Sequence, residues 1–181
     1  MSYTYMQETH PESGFSFRIV LDDTGCVESP LDDNESVAFF VFHRRFENPS
    51  EALARDLDEL AEWEAENENE WESFPLYLYQ HGGTCYRPSR EGNPFSCPWD
   101  SGRIGSIALK RADFRADADL FKIAEAICED YTSWGNGEIY GFEILDFSGD
   151  VLDSCWGFVG HPNDSGIIVE ARNALQSAVE S

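Results

Sequence analysis

Cationic side chains are scarce in this sequence: two lysines and ten arginines stand against 35 aspartates and glutamates, for a formal net charge of -23 at pH 7. A field this negative repels polynucleotides and anionic lipid, and twelve scattered cations make no segregated basic patch. Direct binding to nucleic acid or to a membrane surface is therefore not expected, and basic partners are favoured. No run of 18 apolar residues occurs, so no membrane-spanning helix is expected. Residues 1–14 have neither a basic n-region nor an apolar h-region, which makes the cytoplasm the expected location. Cysteines are few and odd in number; Cys26, Cys85, Cys97, Cys128 and Cys155 read as reduced thiols rather than a disulfide framework. Motifs of catalysis are missing too: there is no Walker loop, no GxGxxG after a strand, no GxSxG elbow and no HExxH.

Apolar material is not lacking. Hydrophobic residues make up 41% and aromatics 14% of the chain, enough to bury a core, and 181 residues fit a single domain. The first thirteen residues are polar and read as frayed. Residues 15–21 alternate toward a strand, and 36–43 carry the β-branched and aromatic density of a central strand. Asn48-Pro49-Ser50-Glu51 has the form of a capping box, predicting a helix over about 48–72 with Leu53, Leu57, Leu60 and Ala61 facing inward. Beyond Trp63 that stripe fails, so 64–70 must project or be solvated. Strands follow at 74–79 and 104–109, separated by a long loop, then an amphipathic helix at 117–133. A hairpin around Ser148-Gly149-Asp150 joins strands at 138–147 and 151–160. A last helix has Ile167, Ala171, Ala174, Leu175 and Ala178 inward. The order ββα-ββα-ββα predicts an α+β fold in which an antiparallel sheet is covered by about three helices.

Residues with ligand or nucleophile chemistry are dispersed. His81, Cys85 and Cys97, with Cys155 or His161 as a fourth, have the donor types of a zinc site but none of the close CxxC or HxxxH pairing. Cys97 and His81 form the one pair that could make a thiolate nucleophile. The negative surroundings raise a thiol pKa and offer little to hold an oxyanion. The expectation is no catalytic residue, no metal and no cofactor, hence not an enzyme. In the loop before residue 104, Trp99 reads as buried and Asp100 as a cap for backbone N–H groups, with Trp156 facing the same core. Tyr77, Tyr79, Trp99 and Trp156 could alternatively line a pocket for a flat small molecule.

The feature that asks for a function is acidic. From Glu47 to Glu72 there are eleven acidic residues against Arg55 alone. Within it Glu62, Glu64, Glu66, Glu68, Glu70 and Glu72 alternate with other side chains. On a helix, carboxylates four residues apart stand about 5–6 Å from one another and repel. Such a row offers a nucleic-acid-gripping protein an imitation of phosphates, and opposite fields speed encounter. Asp56, Asp58, Glu59, Glu62, Glu64, Glu66, Glu68, Glu70 and Glu72 are the expected partner-binding residues. A solvated face, or adaptation to a saline cytoplasm, would produce a similar run. Adaptation agrees less well with acid concentrated in one segment.

Three further stretches are distinctive: Phe74-Pro75-Leu76-Tyr77-Leu78-Tyr79-Gln80-His81, Pro94 to Gly105 (PFSCPWDSGRIG), and Ile139-Tyr140-Gly141-Phe142 leading to Asp153 through Gly160 (DSCWGFVG). Together they resemble an uncharacterised family of small proteins encoded by phages and other mobile elements. That family has no assigned reaction or ligand, so no residue role is carried over. What the resemblance implies is a genomic setting in which small acidic proteins inhibit host defence, anti-restriction and anti-CRISPR proteins among them, some by imitating nucleic acid. The expectation is such an inhibitor, occupying the basic DNA- or RNA-binding channel of a host defence protein or complex. The alternatives are a small-molecule- or metal-binding accessory protein using the 81–105 loop, and a salt-adapted acidic interaction module. Oligomeric state is not legible.

Overall fold

Alternating apolar side chains and two-sided helices build a mixed architecture, described for residues 3–25 and 27–180 of a computed structural model. Cys26, expected to be a reduced thiol, lies outside the described residues. In chain order the elements are β1 (Thr4–Thr9), β2 (Ser16–Leu21), β3 (Val37–Val41), α1 (Leu57–Asn67), β4 (Trp71–Gln80), β5 (Thr84–Pro88), β6 (Ser101–Lys110), a 3-10 turn (Arg111–Asp113), α2 (Leu120–Gly135), β7 (Ile139–Leu145), β8 (Val151–Val159) and α3 (Ile167–Glu180). The α+β class with antiparallel pairing and three helices is what the strand and helix patterns imply. Where one sheet was expected there are two, of four strands each. The chain divides into two compact units, Met1–Glu28 with Ser133–Ser181, and Ser29–Thr132.

The first unit holds the sheet β1-β2-β7-β8, every pair antiparallel. Phe17 and Ile19 of β2 and Tyr140, Phe142 and Ile144 of β7 present one face to α3. Ile167, Ala171 and Leu175 of α3 meet them at helical spacing. Residues 4–9, expected to be frayed, form a strand: Gln7, Glu8 and Thr9 pair with Arg18, Phe17 and Ser16 at the sheet edge, and Tyr5 and Met6 pack on the core. Polar strands of this kind are stabilised by a partner rather than by their own pattern. The β7–β8 hairpin turns where the sequence indicates, with Asp146 Oδ1 accepting from the N–H groups of Ser148 and Asp150 at 2.7 and 2.9 Å.

The second unit holds the sheet β3-β6-β4-β5, also antiparallel. One face, with Phe39, Val41, Phe74, Leu76 and Ile107, packs against Ala124 and Cys128 of α2. The other, with Ala38, Phe40 and Ala108, packs against Leu60 of α1, Ala54, Trp63 and Trp71. The sheet thus lies between two helices. β3 is an edge strand rather than a central one. Its packing on β6 is so close at Gly105 that a Cβ there would sit 2.0 Å from the Phe40 carbonyl oxygen.

Candidate functional site

The acidic segment does not form one helix over 48–72. Asn48, read as the helix cap, serves the exposed edge of β3 instead, together with Ser50: Asn48 Oδ1 accepts from the Val41 N–H at 3.1 Å and Ser50 Oγ from the Phe39 N–H at 2.8 Å. Asn48 also donates to the Ala54 carbonyl at 2.8 Å. A free edge is a liability, and these side chains close it. The helix therefore begins only at Leu57, capped by Asp56, whose carboxylate accepts from the N–H groups of Asp58 and Glu59, both at 2.9 Å. Leu53 and Leu57, expected inward, are about half exposed; Leu60 and Trp63 are the side chains that anchor α1.

Helix geometry then disperses the alternating glutamates. Residues two apart on an α-helix point about 200° away from each other. The N-terminal part of the run therefore gives an exposed stripe of Asp58, Glu62 and Glu66, the last two bordering a hollow of about 580 Å³ with Arg55, Glu59 and Trp63, while Glu64 and Glu68 turn toward the sheet's flank. There they border a hollow of about 490 Å³ shared with Trp71, Arg103 and Arg111. Glu70 lies in the exposed turn before β4 and Glu72 on β4 itself. Three of the nine expected residues are committed inside the fold. Asp56 is the cap. Glu59 is gripped by Arg55, through the guanidinium and through the backbone N–H at 2.9 Å, and the Arg55 hydrogen bond holds its carboxyl below the usual carboxylate range. Glu72 accepts from Arg111 at 2.7 Å and Arg90 at 3.2 Å. Among the described residues no cation pairs with Asp58, Glu62, Glu64, Glu66, Glu68 or Glu70. The six-residue row of Glu62 to Glu72 read from the sequence is replaced by a three-carboxylate stripe with flanking charge.

The 81–105 region is a second concentration of polar side chains. His81 Nδ1 and Cys97 Sγ both approach Asp100 Oδ2, at 3.5 and 3.4 Å. Cys85 lies on β5, where burial pushes its thiol pKa up. Cys155 and His161 belong to the other unit. Among the described residues no group of three or more His, Cys, Asp and Glu side chains is placed to hold a metal ion. The loop's two interior expectations are reversed. Trp99 is 93% exposed rather than buried, and Trp156, on β8, is 44% exposed, its ring lying over Gly141. Asp100 takes the Cys97 thiol rather than capping backbone, and Asn93 caps instead, accepting from the Phe95 N–H at 3.0 Å. Arg45 donates to Gln80 Oε1 at 2.7 Å, and with His43 it lines a hollow of about 330 Å³ that Trp99, Asp100 and Ser101 complete. His43 and Arg45 had no motif to announce them; only the pairing of β3 with β6 brings them to the loop.

Among the described residues no helix is long and apolar enough to cross a membrane. No family model, curated protein or solved structure matches the chain.

Proposed function

We propose that this protein is an inhibitor of a nucleic-acid-binding host defence protein, of the kind encoded by phages and mobile elements, and that it acts by seating the outward face of α1 in a cationic DNA- or RNA-binding channel. One observation carries the reading: Asp58, Glu62 and Glu66 form an exposed stripe, none of them ion-paired among the described residues, on a helix anchored by Leu60 and Trp63. Successive members rise about 6 Å along the axis, so the stripe spans about 12 Å. That is the scale of a few backbone phosphates, which follow one another every 3.4 Å of rise along a strand. Glu64, Glu68 and Glu70 widen the anionic surface. The committed residues Asp56, Glu59 and Glu72 hold the helix and its following strand in place and are not part of the contact.

The test pairs two variants. One replaces Asp58 by Asn and Glu62, Glu64, Glu66, Glu68 and Glu70 by Gln; the other replaces Glu59 and Glu72 by Gln. Each is expressed in cells whose restriction or CRISPR system blocks a phage, and plating efficiency is scored. The wild type and the second variant restore plating; the first does not. Binding to the isolated target falls steeply with added salt and is competed by the target's own nucleic acid. Equal protection by the first variant ends this reading.

A further inference from the structure

The second unit also holds a site of opposite character. In a chain with so few cations, His43 and Arg45 lie at one end of the sheet and face the Trp99–Ser101 turn across the hollow of about 330 Å³. Arg45 spends one N–H group on Gln80 Oε1, and no carboxylate among the described residues pairs with it. A guanidinium carries five donors in a planar fork, so most remain for an incoming anion. The turn itself is pinned from several sides. Asn93 Nδ2 donates to Ser101 Oγ at 2.9 Å, Ser101 Oγ donates to the Cys97 carbonyl, and the Gln80 N–H donates to the Asp100 carbonyl at 2.8 Å. Phe95 stacks on Tyr79 beside it. A loop held this firmly nonetheless leaves the indole of Trp99 93% in water. A large exposed aromatic is the informative exception on a protein surface, and one on a preorganised loop binds with little ordering cost.

We infer that this hollow binds a nucleoside monophosphate, the indole of Trp99 stacking on the base and Arg45 with His43 holding the phosphate. The charge of the chain selects the size. A polynucleotide brings its phosphates into a field of -23, whereas a single phosphate group meets Arg45 and His43 inside a Debye length of about 8 Å at physiological salt. The Asp100 carboxylate, the one acidic group lining the hollow, is turned to the Cys97 thiol and His81. This site is separate from the acidic face of α1, and each stands if the other falls.

The experiment is calorimetric titration of the full chain with the four common ribonucleoside monophosphates, the matching nucleosides, inorganic phosphate and a ten-nucleotide single strand. At least one monophosphate binds with one-to-one saturation, about tenfold or more tighter than its nucleoside or phosphate alone. Trp99→Ala weakens it about tenfold, the scale of one base stacked on an aromatic side chain, and Trp99→Phe recovers most of that. Because Trp99 is exposed, its thermal unfolding midpoint stays at the wild-type value. Arg45→Gln removes the preference for monophosphate over nucleoside. Absence of saturable binding for all four monophosphates, binding unchanged in both Trp99→Ala and Arg45→Gln, or tighter binding of the single strand overturns the assignment.

Discussion

Replacing Glu62, Glu64, Glu66 and Glu68 together by glutamine should stabilise the second unit. Three like-charge pairs at i,i+4 are present on or at the end of α1: Asp58 with Glu62, Glu62 with Glu66, and Glu64 with Glu68. Each costs about 0.2–0.5 kcal/mol, and the substitutions remove all three. Glu66 and Glu68 also sit at the negative end of the helix dipole, with no basic residue in the last turn to offset them. Relieving that adds about 0.3–1 kcal/mol for each. The total is about 1.2–3.5 kcal/mol, which at a mid-range urea slope of about 2 kcal/mol/M moves the midpoint up by about 0.6–1.8 M. Trp63 and Trp71 report the transition directly, since their rings lie 5.4 Å apart and Trp63 packs 5.1 Å from Phe40. The measurement is urea unfolding followed by tryptophan fluorescence at 10 mM and at 1 M sodium chloride. At the higher salt the Debye length is about 3 Å, shorter than the carboxylate spacing, so most of the gain disappears. An unchanged or lowered midpoint at low salt, or an equal gain at both salts, refutes the geometry assigned to these side chains.

Two other perturbations test the fold and its charges. Gly105→Ala prevents the second unit from folding, because the added Cβ would lie 2.0 Å from a backbone carbonyl oxygen that no rotamer change can move; circular dichroism and proteolysis read the loss. Glu59 titrates below its ordinary value near 4.5 because Arg55 hydrogen-bonds the ionised form. A depressed folded-state pKa contributes stability that is present above the unfolded value and lost as pH falls through the folded one. Carboxyl titration by NMR should therefore place Glu59 below its ordinary value, and Arg55→Ala should return it toward that value.

Legibility followed the range of the interactions. The β7–β8 hairpin was readable because Asp146, Ser148, Gly149 and Asp150 settle their turn among themselves, and α3 because Ile167, Ala171 and Leu175 keep one stripe. Asn48 misled because it had two possible backbone partners, a helix start nearby in sequence and the β3 edge, and only the folded sheet decides between them. β1 was missed because its polar residues acquire strand structure from β2. The candidate site was readable as charge but not as shape. Composition located the acid between Glu47 and Glu72, whereas the split of Glu62 and Glu66 from Glu64 and Glu68, and the capture of Glu72 by Arg90 and Arg111, depend on where the helix stops and the strand begins.

The energetics of α1 narrow what its charge can be for. Fully burying a leucine contributes about 1.5–3 kcal/mol, so the Leu60 anchor, with Trp63 half-buried beside it, is enough to offset the repulsion it carries. The helix would pack equally well with neutral side chains at its outward positions, so packing does not account for Asp58, Glu62 and Glu66. A solvated acidic face and a face that imitates phosphates both predict that neutralising them stabilises the fold at low salt. They part on one coupled measurement. If the charge serves a cationic partner, the variant that gains stability loses inhibition in proportion to the carboxylates removed; if it serves solvation, the same variant inhibits as before. The sign of the stability change tests the geometry, and its pairing with lost inhibition tests the function.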